Sequence, residues 1–284
     1  MKKRIVSGFV MGFIVALVLV LGLYVQNLII TTFIAIVAAV GVMELIGNAA
    51  KIENTVFRML SAVYTVVMVF MFCNINEDIY KLNRTDYSYI DINSFVAVII
   101  TSVVYVIAVA ILILVYHSEF DLAKIAVVCG MPTLLAYGFS CIGSIITSTG
   151  GIYYLLLVLN FACVCDMGAY FVGVGMGKTK LCPEISPNKT VEGALGGIVS
   201  SVIVSLIITL CFGKFDKILF TLLFTIPLCV AGMSGDLFAS IIKRKVGIKD
   251  YGNLIPGHGG ILDRVDSMLF IAPLVYCLIL IGAL

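Results

Sequence analysis

The sequence contains no tryptophan, only two histidines and few charged residues, which make up 12% of its 284 positions, whereas 62% of the residues are hydrophobic. A soluble domain of this size has about a quarter of its residues charged and about half apolar. The shortage of charge therefore excludes an ordinary soluble domain and indicates an integral membrane protein. With tryptophan absent, an aromatic belt at the membrane surfaces has to be built from the 13 tyrosines. The net charge of +2 is too small to point to an acidic partner, and we expect no nucleic-acid binding.

The nine cysteines do not form a recognisable metal or redox motif. The sequence has no Cys-x-x-Cys pair, and no group of cysteine and histidine has the spacing of a zinc site. Most of the cysteines lie inside apolar runs, where a thiol behaves as a small packing residue. We interpret them as structural.

Long apolar runs recur along the whole chain, and a bilayer core of about 30 Å needs ~20 apolar residues for each helix that crosses it. These runs predict an all-α polytopic membrane protein with about nine transmembrane helices. The predicted spans are residues 5–23, 27–46, 58–74, 94–115, 123–147, 151–171, 191–212, 218–238 and 267–284. We divide the chain into N-terminal transmembrane helices (1–122) and a C-terminal catalytic transmembrane region (123–284).

The positive charges are distributed unevenly between the loops that these spans define. If the amino terminus is cytoplasmic, four of the 18 lysines and arginines lie outside, namely Lys81, Arg84, Lys214 and Lys217, and the other fourteen lie inside. Cytoplasmic loops carry an excess of lysine and arginine, so this orientation is favoured. It predicts that the loops at 172–190 and 239–266 face the cytoplasm.

Four aspartates at the ends of predicted spans are the most unusual polar residues of the second half: Asp166, Asp236, Asp263 and Asp266. A carboxylate at the centre of a membrane helix costs ~2.5–3.5 kcal/mol, and less near the helix end. Each one alone is compatible with a residue in the interfacial region. As a set, their spacing places polar groups on common helix faces, because residues three or four positions apart lie on the same face of a helix. Asp263 and Asp266 are three apart, and Asp236 and Ser240 are four apart. Carboxylates grouped in this way predict an oxygen-rich site for a hard cation such as Mg²⁺.

The segment 240–250 lies between these carboxylates and is rich in cations, with Lys243, Arg244 and Lys249 among them. The preference of cytoplasmic loops for lysine and arginine would explain these cations, but it does not explain the carboxylates that flank them. Cations beside a metal-binding set are what a nucleoside triphosphate requires. Glycines at 257, 259 and 260 would let backbone N–H groups approach phosphate before a helix begins.

A second polar segment, 173–197, contains Gly177-Lys178-Thr179, which resembles the end of a phosphate-binding P-loop. Val172 occupies the position where that motif needs glycine, so we reject the P-loop interpretation. Thr190 is predicted to open the seventh span. Gly193 and Gly197 form a Gly-x-x-x-Gly pair, which is typical of close helix packing.

Two blocks of sequence closely resemble the signature of the phosphatidate cytidylyltransferases, also called CDP-diacylglycerol synthases. The first block comprises Ser240-x-x-Lys243-Arg244, Lys249-Asp250, Pro256-Gly-His-Gly-Gly260 and Asp263-Arg264-x-Asp266. The second comprises Asp166-x-x-Ala-Tyr170 and Ser186-Pro-x-Lys-Thr190-x-Glu192-Gly193. Together they cover residues 163–270.

The resemblance implies that CTP and phosphatidic acid, drawn from the lipid bilayer, react to give CDP-diacylglycerol and pyrophosphate. It implies that Mg²⁺, with a second cation such as K⁺, binds the aspartates at 236, 263 and 266. The implied catalytic residues are Asp236, Asp263, Asp266, Lys243, Arg264 and His258, the last through a hydrogen bond to backbone or phosphate. The implied substrate-binding residues are Asp166, Ser186, Lys189, Thr190, Ser240, Arg244, Lys249, Asp250, Gly259 and Gly260.

The resemblance further implies a multi-pass protein of a bacterial cell membrane, with its amino terminus and its active site, at the ends of the C-terminal helices, in the cytoplasm. A homodimer is compatible with the glycine-rich spans. Ala239 is a departure, because the family usually has glutamate there. A weakened paralogue, a related CTP-dependent lipid or polyprenol kinase or nucleotidyltransferase, and an ion-coupled transporter remain alternatives.

Overall fold

The computed structural model describes residues 2–24, 26–84, 92–255 and 259–284, and within these ranges the chain is mainly α-helical. The first helices are α1 (Lys2–Tyr24), α2 (Asn27–Glu44), α3 (Thr55–Arg84), α4 (Ile92–Val115) and α5 (Leu122–Thr147). The later elements are α6 (Gly151–Leu159), α7 (Cys165–Met176), β1 (Lys180–Cys182), β2 (Ser186–Thr190), α8 (Val191–Cys211), α9 (Ile218–Val246) and α10 (Leu262–Leu280). Short π-helical turns, Leu45–Ala49 and Asn160–Val164, follow α2 and α6, and 3₁₀ turns lie at His117–Glu119 and Phe215–Lys217.

Each of the nine predicted spans coincides with helix, which confirms the all-α polytopic fold class. In the described residues, seven helical segments are long and apolar enough to cross a membrane: Asn27–Ala49, Thr55–Lys81, Ile92–Val115, Leu122–Thr147, Gly151–Met176, Val191–Cys211 and Phe215–Val246. In α1, Gly12–Gly22 is a shorter apolar helix. In α10 only 14 helical residues follow Asp266, fewer than the ~20 that a crossing needs. The total of nine crossings therefore stays a prediction.

Two helix ends were predicted wrongly. The predicted loop 75–93 is helical as far as Arg84, with an ion pair of 2.7 Å between Glu77 and Lys81, one helical turn apart. The eighth span was predicted to end at residue 238, but α9 continues for eight more residues to Val246. The predicted ends were placed where the apolar residues stop. A helix continues beyond that point as long as its backbone hydrogen bonds continue.

The chain forms two compact units, which are described separately here. The first unit contains residues 1–147 and 246–264, and the second contains 148–245 and 265–284. The units divide after Thr147, and the loop between α9 and α10 belongs with the N-terminal helices. A catalytic region that begins at residue 123 stays a prediction.

In the first unit, α2, α3 and α5 pack together around apolar side chains, and several buried polar groups are paired between helices. The Ser61 hydroxyl lies 2.8 Å from that of Tyr105, which donates to the carbonyl of Val128 at 2.7 Å. The Asn76 amide donates to Ser144 at 3.0 Å. Such pairing is required because lipid offers no hydrogen-bond partners.

In the second unit, α6 and α7 pack along α8, and a buried polar network joins α8 to its neighbours. The Asn160 amide, where the π-helical turn begins, donates to the Ser201 carbonyl at 3.0 Å and to the Ser205 hydroxyl at 2.8 Å. Thr225 of α9 donates to the same Ser205 hydroxyl at 3.0 Å. One network therefore fixes three helical segments.

Glycines bring α7 and α8 into close contact, as the Gly-x-x-x-Gly pair predicted. A Cβ atom added to Gly193 would lie 2.6 Å from the Ala169 carbonyl oxygen, and one added to Gly197 would lie 2.5 Å from the Cys165 carbonyl oxygen. Real Cβ atoms essentially never approach so closely. Both glycines are needed for the backbones to approach.

Gly197→Ala should destabilise the protein by about 1–3 kcal/mol, because the added methyl group overpacks the contact with α7. Gly130→Ala is the matched control, since Gly130 is also helical and a Cβ there would meet nothing within 4 Å. The thermal unfolding midpoint in detergent should fall for Gly197→Ala and stay level or rise slightly for Gly130→Ala. Equal midpoints for the two variants would contradict the close α7–α8 contact.

Candidate functional site

A cavity of about 280 Å³ in the second unit brings five of the predicted site residues together. It is enclosed by α7, the β1–β2 hairpin, α8 and α9. The predicted residues that line it are Asp166, Ser186, Lys189, Thr190 and Asp236. Tyr170 and Met233 contribute apolar surface.

Lys189 and Asp236, which both line this cavity, form an ion pair. The Lys189 ammonium donates to Oδ2 of Asp236, and the two side chains are 24% and 27% exposed. Asp166 interacts electrostatically with both of them. These are the charged residues of the lining, so two carboxylates face one ammonium and leave an excess of one negative charge. That balance favours a bound cation, and the ammonium is available to an anionic group.

The hairpin that carries Lys189 is anchored to the start of α8. Its register pairs Lys180 with Thr190 and Cys182 with Ser186. Thr190 is the N-cap of α8, as predicted, and its hydroxyl oxygen accepts from the Gly193 N–H at 3.1 Å. A cap of this kind satisfies one of the free N–H groups of the first turn. Lys189, next to the cap, is thereby held at the cavity.

A second lysine–aspartate pair lies in the same unit. Lys243 of α9 is 9% exposed, and its ammonium lies 3.9 Å from Oδ2 of Asp266. The other oxygen of Asp266 accepts from the Ser267 N–H at 2.8 Å. Ser240, also predicted as a site residue, lies on α9 less than one turn before Lys243. The structure thus unites two of the predicted catalytic residues, Lys243 and Asp266.

Asp263 belongs to the first unit and is bound by the loop that precedes it. Its Oδ2 accepts from the N–H groups of Tyr251 at 2.7 Å and of Gly260 at 3.0 Å. Gly259 has a φ of +88°, and a Cβ there would lie 3.1 Å from the same oxygen. The Gly260 N–H, predicted to face phosphate, is thus used by Asp263, and the left-handed conformation of Gly259 allows the loop to approach.

Glu44, at the end of α2, is a buried charged residue that the sequence reasoning did not single out. It is 7% exposed, and its two carboxylate oxygens accept from the N–H groups of Ile261 and Leu262, each at 3.1 Å. It is the one charged residue of the predicted span 27–46, which was the available signal. A lone charge in a membrane helix needs a partner within the protein.

The remaining predicted residues divide into exposed side chains and positions outside the described residues. Arg244, Lys249, Asp250 and Arg264 are exposed. His258 lies in 256–258, outside the residues that the structure describes. Their contacts with phosphate stay predictions.

The described ranges contain no group of three or more histidine, cysteine, aspartate or glutamate side chains placed to hold a metal ion. The available donors still fit magnesium, because carboxylate oxygens are its preferred protein ligands. Magnesium is usually bound through one or two carboxylates and the phosphates of the substrate, so a three-carboxylate group is not required. The metal role of Asp236, Asp263 and Asp266 stays a prediction.

Comparisons with known proteins agree with the resemblance noted in the sequence. The phosphatidate cytidylyltransferase of Bacillus subtilis (strain 168) is 50% identical over 130 residues, which are 44% of this chain and 48% of that protein. The one from Staphylococcus haemolyticus is 47% identical over 135 residues, 47% of this chain and 52% of that protein. The enzyme of that name from Staphylococcus aureus (strain COL) is 46% identical over 135 residues, with the same coverage.

In these alignments the chain spans about half the length of the relatives that it matches. The sequence pattern of the cytidylyltransferase family extends much further and matches residues 2–281. That match includes the helices of both units, the cavity with its lysine–aspartate pair, and the loop that binds Asp263. Since the match covers almost the whole chain, the protein belongs to the cytidylyltransferase family.

Proposed function

We propose that the protein is a phosphatidate cytidylyltransferase, which converts CTP and phosphatidic acid into CDP-diacylglycerol and pyrophosphate. The observation that carries the proposal is the cavity lined by Lys189 and by the carboxylates Asp166 and Asp236, with Lys189 ion-paired to Asp236. Membership of the cytidylyltransferase family and similarity to proteins named phosphatidate cytidylyltransferase support the choice of reaction.

In the proposed reaction, an oxygen of the lipid phosphate forms a bond to the α-phosphorus of CTP, and the bond from that phosphorus to the bridging oxygen breaks. Pyrophosphate leaves with the electron pair. The lipid phosphate is already anionic, so no side chain has to remove a proton from it. Catalysis then consists of positioning two anions and neutralising their charge.

Lys189 is proposed to bind a substrate phosphate at the cavity. Asp236 orients its ammonium by accepting a hydrogen bond, which limits the rotation of a flexible side chain. One or two of the carboxylates at 236, 263 and 266, together with the phosphates of the substrate, would hold Mg²⁺, with K⁺ as a candidate for a second cation. A bound cation would supply further neutralisation of the triphosphate.

Other cations near the signature are proposed to bind the triphosphate. Arg244, Lys249 and Arg264 are exposed and therefore accessible to a soluble substrate. Lys243 is buried beside Asp266, and we assign it to charge balance at that carboxylate and to phosphate contact when substrate is present. Further proposed substrate contacts are Ser186, Ser240, Asp250, His258 and Gly259, whereas the Gly260 N–H donates to Asp263.

The membrane location suits one soluble and one lipid substrate. The protein is a multi-pass membrane protein by its seven long apolar helices. We propose that the amino terminus and the site face the cytoplasm, where CTP is present, in a bacterial cell membrane. Phosphatidic acid would then enter from the adjacent leaflet.

The direct test is CTP-dependent formation of CDP-diacylglycerol from phosphatidic acid by the purified protein, with and without Mg²⁺. Asp236→Asn keeps the shape of the side chain but removes its charge, and we expect at least about a 100-fold lower kcat. Product that requires neither Mg²⁺ nor Asp236 would contradict the proposed mechanism. No product from folded protein that binds CTP would reject the proposed substrate pair.

Lys189→Met should lower kcat/KM by about 10²–10³-fold, because it removes the ammonium from the cavity and keeps an unbranched side chain of similar length. Lys180→Met is the matched control, since Lys180 belongs to the same hairpin but does not line the cavity. The measurement is initial rate against CTP concentration for both variants. A similar loss in the two variants would show that the hairpin, and not the Lys189 charge, is responsible.

A further inference from the structure

Glu44 joins the end of α2 to the loop before α10, more than 200 residues further along the chain. Its two oxygens each accept one backbone N–H, from Ile261 and from Leu262. These N–H groups lie at the start of α10, where no preceding turn supplies acceptors. A carboxylate is also favoured there by the helix dipole.

Two glycines of the loop make room for this carboxyl group. A Cβ atom on Gly252 would lie 2.6 Å from Cδ of Glu44, and one on Gly260 would lie 2.7 Å from the same atom. Both glycines are buried. The loop is therefore shaped around Glu44, which lies between its two sides.

The π-helical turn that follows α2 also fixes the other side of the loop. The Asn48 amide donates to the Tyr251 carbonyl at 2.5 Å, while the Tyr251 N–H donates to Asp263 at 2.7 Å. The Gly260 N–H, next to the groups that Glu44 binds, donates to the same oxygen of Asp263 at 3.0 Å. Both hydrogen bonds that orient Asp263 thus come from backbone held by α2 or by the turn that follows it.

We propose that Glu44 is a positioning residue for the reaction: it fixes the loop residues 251–252 and 259–262 and so sets the orientation of the Asp263 carboxylate. This inference rests on the proposed function, in which Asp263 binds the cation that the triphosphate requires. Under this proposal a residue of the N-terminal helices contributes to the reaction. Glu44 acts through Asp263 and does not itself touch substrate.

Glu44→Gln is the sharpest variant, because it keeps the volume of the side chain. A glutamine amide has one oxygen and one NH₂ group, so it can accept from one of the two N–H groups and places a donor against the other. A buried N–H left without an acceptor is destabilising, because it has lost its bonds to water and gained none in the protein. Asn48→Ala is a second and milder variant, which removes one bond from the other side of the loop. Glu53→Gln, an exposed carboxylate of the same unit, is the matched control.

The first measurement is amide hydrogen exchange of the segment 247–264 in the full-length protein in detergent. For Glu44→Gln we expect exchange at Ile261 and Leu262 to accelerate by about tenfold, since one acceptor is lost. For Asn48→Ala we expect a smaller acceleration centred on residues 250–252. Glu53→Gln should exchange like the wild type.

The second measurement separates positioning from simple stabilisation. For Glu44→Gln we expect kcat to fall by about 10–100-fold and the Mg²⁺ concentration for half-maximal rate to rise, as for substitutions behind a metal ligand. The KM for phosphatidic acid should not change.

The outcomes are distinguishable. Wild-type exchange in Glu44→Gln, or faster exchange with wild-type kcat and Mg²⁺ dependence, would overturn the positioning role. If Glu44→Gln does not fold, Asn48→Ala decides the question by the same two measurements. A wild-type protein that forms no CDP-diacylglycerol would reject the proposed function, while faster exchange in Glu44→Gln alone would still support the hold of Glu44 on the loop.

Discussion

A charged group on a membrane helix has to find its partner inside the protein, and much of this structure follows from that requirement. Asp236 is paired with Lys189, which fixes the hairpin against α9 within the second unit. Glu44 binds two backbone N–H groups, which fixes the loop before α10 within the first unit. In both cases a carboxylate on a helix holds an irregular segment in place. These two segments are the ones that we propose to take part in the reaction.

The positions of the helices could be predicted from the sequence because each crossing requires a long apolar run. Their ends could not, since a helix continues where its backbone hydrogen bonds continue, as α9 does for ten residues beyond Asp236. The β1–β2 hairpin was also missed. It consists of strands of three and five residues with Pro187 in the second, so it has no alternating apolar pattern to reveal it. Its stability comes from Thr190 and the start of α8.

The sequence predicted which residues belong to the candidate site, but it predicted only some of the contacts between them. The aspartates and Lys189 stand out in the sequence, either as charges within apolar runs or within the signature. Their partners do not, because Lys189 and Asp236 are 47 residues apart, and Glu44 lies 217 residues from Ile261. Glu44 was the one charge in its span, and the same rule that drew attention to Asp236 applied to it. Only the folded chain shows which backbone groups it binds.

Three aspartates that the sequence assigns to one role have three different environments. Asp236 faces an ammonium, Asp266 accepts from the adjacent Ser267 N–H with Lys243 at 3.9 Å, and Asp263 accepts from two N–H groups of a loop. An asparagine at 263 retains an oxygen that can accept both loop N–H groups, so the loop can persist while the charge is lost. An asparagine at 236 removes the carboxylate with which Lys189 forms its ion pair. The same substitution therefore tests cation binding by itself at Asp263, but cation binding together with lysine orientation at Asp236.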